Sequence, residues 1–175
     1  GAGPARGERP WLWPAGLEHL VLRAEGLLDE RGRVSKLALL PVAHCILSLA
    51  PRRCVVVLAE RKSPKERGAS LGKHVHGLRR ELGRFGYLVA SVSAAVEAGG
   101  APAGPQVIVG RNEAIRGLDL EGVDAVVIVG ELATSREYMH AAGRTSRWGA
   151  GRGAPGGGAV VSVVEPRMAG TLRRW

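Results

Sequence analysis

Four short apolar runs do most to limit what this chain can become. "CVVVLA" (Cys54–Ala59), "QVIVG" (Gln106–Gly110), "DAVVIVG" (Asp124–Gly130) and "AVVSVV" (Ala159–Val164) are rich in Val and Ile and lack the alternation of a half-wet strand. Such runs suit strands buried on both faces, which occur in parallel sheets covered by helices. Two further strands are expected, at Gly16–Arg23 and Tyr87–Val92.

The intervening segments read as helices. Ser35–Ala50 has leucines at helical spacing, and Pro41 must start, kink or split it. Ser63-Pro64-Lys65-Glu66 combines an N-cap serine, a proline suited to the first turn and a capping-box glutamate. Leu71, Val75, Leu78, Leu82 and Phe85 then form one apolar face before Gly86 stops the helix, while Lys73, Arg79, Arg80 and Arg84 occupy the other face. A short helix is expected near Asn112–Arg116, and Thr134–Glu137 is a second capping box whose helix should end at Gly143. The segment "AAVEAGGAPAGP" offers little to pack, and the chain beyond Val164 turns polar and basic. Strands alternating with helices predict a three-layer α/β domain with a mostly parallel sheet of about six strands. Ligand sites in such sheets lie outside the carboxyl ends of the strands, where Gly110 and Gly130 fall.

With 175 residues and 45% hydrophobic content, one globular domain is expected over 13–170, with a flexible segment at 1–12 and a basic tail at 171–175. The basic N-terminus lacks a secretory apolar region and reads equally as a linker, an expression remnant or the trimmed end of an organelle presequence. Cys45 and Cys54 lack metal-ligand spacing and read as free thiols of a reducing compartment. An intracellular location follows, with the mitochondrion or another organelle, the cytoplasm and the nucleus all open. No apolar run is long enough to span a membrane.

Net charge is +9, and 21 of the 25 basic residues are arginine. Such a surplus points to a polyanion such as nucleic acid, since neutralising phosphates releases counterions. Aromatic residues make up only 4%, so contacts through phosphates are expected to outweigh base stacking. The chain carries no GxxxxGK[ST] phosphate loop, GxSxG elbow, HExxH helix or Cys/His zinc pattern, and no metal site is expected. His19, His44, His74 and His76 have no evident acidic or cysteine partners and read as structural or surface residues.

Two clusters remain. Arg116-Gly117-Leu118-Asp119 pairs a glycine that permits close backbone approach with a carboxylate suited to a hydroxyl. Gly143-Arg144-Thr145-Ser146-Arg147 presents two guanidiniums that match phosphate oxygens.

In order and spacing, "GRNEAIRGLDLEGVDAVVIVGELATSREYMHAAGRTSRWG" (Gly110–Gly149) resembles the "ARGLD" and "HRxGRxGR" region of DEAD-box RNA helicases, in their second, C-terminal RecA-like domain. Upstream, "LEHLVLRAEGLLDERGRVSKLALL" and "CVVVLAERKS" resemble that domain's first strand, first helix and next strand. The resemblance implies that Arg144 and Arg147 are arginine fingers for ATP held, with Mg²⁺, on a partner N-terminal RecA-like domain. It implies that Gly117 and Asp119 bind ATP, Asp119 at the ribose, and that Gly110, Arg111, Arg116 and His140 face RNA. The chain departs from the pattern at three places. Gly110-Arg111 stand for the family's "TD", His140-Ala141 for its "HR", and the segment between Tyr87 and Gln106 is shorter and lacks the "HG…QxxR" stretch. Half of an ATP-dependent RNA helicase is therefore one expectation. An inactive RNA-binding module, docked in a ribonucleoprotein such as an organellar ribosome, is the other.

Overall fold

The computed structural model describes residues 17–59, 67–100, 103–116, 120, 122–145 and 158–172. Six strands form one sheet: β1 (Glu18–Arg23), β2 (Arg53–Ala59), β3 (Leu88–Ser91), β4 (Gln106–Arg111), β5 (Ala125–Gly130) and β6 (Ala159–Val164). Their order is β1-β6-β5-β2-β4-β3, and every neighbouring pair is parallel. The helices are α1 (Leu39–Leu49), α2 (Arg67–Gly83), α3 (Val92–Ala98), α4 (Asn112–Ile115), α5 (Ser135–Ala142) and α6 (Ala169–Leu172).

The apolar runs occupy the centre, and every residue of β5 is buried. Because alternate side chains point to opposite faces, the sheet feeds two cores. Val56, Val127 and Val161 pack with Val42 and Ile46 of α1 and Leu78 and Leu82 of α2. Val55, Ile128 and Val160 pack with Val92 of α3, Ile115 of α4 and Tyr138 of α5. The result is the expected three layers, α1 and α2 on one side and α3, α4 and α5 on the other.

Pro41 splits nothing. A 3-10 turn at Lys36–Ala38, capped by Ser35, leads into α1, and Pro41 sits in the first turn, where its missing N–H has no intrahelical carbonyl to lose. The capping box at Ser63–Glu66 lies outside the described residues. Phe85 departs from the apolar face predicted for it: α2 ends at Gly83, and the ring stands 58% exposed in the turn that Gly86 closes with φ +82°. Val92 leaves the expected strand to open α3, whose N-cap Ser91 accepts from Ala94 N. The Ala-rich stretch therefore does pack, through Val92 and Ala95. Past β6, Met168 and Ala169 are buried with Val164, although the polar and basic composition there predicts a solvated tail.

Candidate functional site

The strand–turn–helix unit at Gly110–Arg116 sits at the carboxyl edge of the sheet. Gly110 is the last apolar position of β4, and a β-carbon there would strike the side chains of Val92 and Ile115. Its lack of a side chain lets α3 and α4 close over β4. Arg111 ends the strand opposite Leu58 of β2 and takes the extended N-cap position of α4. Arg116 ends that helix with its N–H on the Asn112 carbonyl. From there its Nη2 donates to Glu137 Oε1 at 2.9 Å.

The predicted capping box of α5 forms. Thr134 Oγ1 accepts from Glu137 N at 3.2 Å, and Glu137 Oε2 accepts from Ala133 N at 3.0 Å. One carboxylate thus caps α5 and grips Arg116, joining two elements 21 residues apart in sequence. Spacing alone marks Glu137 as a cap, because nothing in a linear sequence points to a partner that distant.

Tyr138, Ala141 and Ala142 are buried, which turns Arg136 and His140 outward at i and i+4, with the half-buried Arg144 in the turn beyond the helix. With Arg116, Thr134 and Glu137 they line one open cleft. Among the described residues, Glu137 is the sole carboxylate of that cleft, against three arginines and a histidine. It is an anion-accepting surface, rich in N–H donors.

Arg144 does not lie at the carboxyl edge with Gly110 and Gly130. Helix α5 runs back across the sheet, so its end reaches the amino edge. There the buried Thr145 stands against Gly158 and close to the Asp124 carbonyl, immediately before β6 and β5. Arg144 is half-buried there, its N–H on the Ala141 carbonyl at 3.3 Å. From Arg136 to the end of α5 at Ala142 the row rises by about 9 Å, six residues at 1.5 Å each, and Arg144 continues the cleft in the turn beyond. Gly117, Asp119 and Arg147 lie outside the described residues.

Position along α5 is fixed by a polar chain that the sequence did not disclose. The Tyr138 hydroxyl lies 3.0 Å from Ser162 Oγ of β6 and 3.3 Å from His19 Nδ1 of β1. Burial raises the Tyr138 pKa, partly offset by Ser162, and burial lowers that of His19. His74 is structural, its Nε2 2.9 Å from the Val34 carbonyl. Both cysteines are free, and burial drives the Cys54 thiol far up. Among the described residues, no group of three or more His, Cys, Asp or Glu side chains is placed to hold a metal, and no helix is long and apolar enough to cross a membrane.

No protein-family profile and no curated protein matches this chain. Solved structures do. The chain is similar to the Escherichia coli DEAD-box protein SrmB, solved bound to the regulator of ribonuclease activity A, at 23% identity and a TM-score of 0.56, covering 87% of this chain and 79% of that one. It is similar to a DEAD-box protein from Methanococcus jannaschii at 17% identity and a TM-score of 0.52, covering 91% of this chain but 39% of that one. The RNA helicase Prp28 from Chaetomium thermophilum, bound to ADP, matches at 15% identity and a TM-score of 0.57, over 93% of this chain and 36% of that one. The six-stranded parallel sheet with helices on both faces is thus the RecA-like fold of the DEAD-box helicase structures it resembles.

Proposed function

We propose that this chain is the C-terminal RecA-like half of an ATP-dependent RNA helicase of the DEAD-box type. The observation that carries this reading is the cleft along α5, where Arg136, His140 and Arg144 stand in line beside Arg116 and the one carboxylate is already engaged. Its donors fit a polyphosphate, and half-burial of Arg144 strengthens its interaction with one. ATP, bound on a partner domain with Mg²⁺, supplies the phosphoryl group transferred to water. Arg144 and Arg147 donate parallel N–H bonds to phosphoryl oxygens and offset the charge that develops there. Asp119 accepts from a ribose hydroxyl, and Gly117 lets the backbone approach. On the carboxyl edge, Arg111 meets RNA phosphates, with Arg116 and His140 contributing further donors, while the buried Gly110 serves the packing beneath them.

Steady-state ATPase of the full-length product, with and without RNA, tests the finger role. Arg144→Ala is expected to lower kcat by about 10³, while Glu97→Gln, at an exposed position of α3, leaves it unchanged. Unaltered turnover in the Arg144→Ala/Arg147→Ala double variant would refute it.

A second reading, an inactive RNA-binding module in a ribonucleoprotein, is favoured by Ala141. It stands where the DEAD-box motif carries arginine, and it is 2% exposed against the sheet, leaving no room for a guanidinium without repacking. This reading expects no turnover from the complete protein, together with RNA affinity that falls steeply with salt and shows little sequence preference.

A further inference from the structure

On α2, Lys73, His76, Arg80 and Arg84 follow at intervals of three and four residues, the last in the turn just beyond the helix, and all four are exposed. At 3.6 residues per turn they form one stripe about 16 Å long, opposite the buried Val75, Leu78 and Leu82. Within this stretch Glu81 is the only acid, and it is divided between two guanidiniums, Arg80 Nη2 at 2.9 Å and Arg84 Nη2 at 3.3 Å. These arginines are 75% and 71% exposed, and ion pairs so exposed are weak enough to exchange for a phosphate. Arg79 is different in kind, since its Nε and Nη2 both donate to the Val89 carbonyl and hold α2 to β3.

The stripe ends in apolar groups. Phe85, the chain's one phenylalanine, projects from the turn beside Arg84, and the exposed Leu88 opens β3 after it. A solvent-facing ring next to a row of cations gives a stacking face at the end of a phosphate track. This surface lies in the α1–α2 layer, across the sheet from the α5 cleft.

We propose that the outer face of α2 and the Phe85 turn form a docking surface for single-stranded RNA. Lys73, His76, Arg80 and Arg84 meet successive phosphates and Phe85 stacks on an unpaired base. The exposed ring favours a nucleic acid over an acidic protein surface. The choice of RNA rests on the function proposed above, whereas the surface itself rests on α2 alone.

The test is fluorescence anisotropy of a labelled single-stranded RNA with the full chain, without nucleotide, between about 50 and 200 mM salt. Lys73→Ala/Arg80→Ala/Arg84→Ala should flatten the slope of log affinity against log salt by about 2, from about 0.7 per lost phosphate contact. Phe85→Ala should weaken binding about tenfold with the slope retained. Arg80→Lys/Arg84→Lys should keep the wild-type slope, which separates lost charge from a damaged fold. An unchanged slope in the triple variant overturns the proposal. So does polyglutamate displacing RNA at equal charge concentration while Phe85→Ala binds normally, the behaviour of a site for acidic protein. Arg144→Ala lies on the other layer and should leave the effect of the triple variant intact, so failure of the finger role and failure of this surface give different results.

Discussion

Ala50 is the one described non-glycine residue with positive φ, at 45°, and it closes α1 through its N–H to the Ile46 carbonyl. A β-carbon in the left-handed region is strained, so Ala50→Gly should raise stability by about 0.5–1 kcal/mol in urea unfolding. Arg79→Ala should do the opposite, lowering stability by about 1–3 kcal/mol through loss of both bonds to Val89, with no change in the salt dependence of RNA binding. Among single residues, those set by local periodicity were legible: Val75, Leu78 and Leu82 are buried as the spacing requires. Phe85 fits the same arithmetic but follows the last helical residue, and periodicity has no force once the helix has ended. Gly110 reads in the sequence as a position at the carboxyl end of a strand, where ligands bind, yet Val92 and Ile115 already fill the space beside it. Only the packed structure reveals that competing role.

Elements were legible where the composition was strongly biased. The Val-rich strands and the Thr134 cap fall within a residue or so of their predicted bounds, because burial on both faces and a side-chain cap are both local chemistry. Helix α3 was not foreseen, since its alanines carry no amphipathic signal and its cap, Ser91, looked like strand. The link between α5, β6 and β1 was equally hidden, being made of three polar residues far apart in sequence. It has a pH signature. Burial depresses the His19 pKa below its ordinary 6.5, so the unfolded chain binds the proton more readily than the folded one. Stability should hold above pH 6.5 and decline as pH falls below it, and His19→Gln should flatten that decline in thermal melts. Full acid sensitivity in His19→Gln would assign it to other groups. Tyr138→Phe strands the Ser162 hydroxyl, which is wholly buried, and should cost about 1–3 kcal/mol.

For the whole molecule, the parallel three-layer architecture followed from strands that read as apolar throughout and are separated by helices. The path of α5 across the sheet did not. A rule placing ligands at carboxyl ends suits Gly110 and Gly130, but the return of α5 carries Arg144 to the opposite edge. At one border of the sheet, β1 pairs only with β6 among the described residues and exposes both Leu20 and Val21. Exposed border strands recruit other chains, so Val21→Lys should reduce concentration-dependent self-association in sedimentation and leave the melting temperature unchanged.

That same border strand is matched residue for residue with β6, Glu18 opposite Ala159 and Arg23 opposite Val164. Of the six strands of this sheet, the first in chain order is thus completed by the last. Until β6 has been translated, β1 lacks the partner it has among the described strands, and closing so long a loop is slow. For that interval the backbone of β1 is open to chaperones or to neighbouring nascent chains.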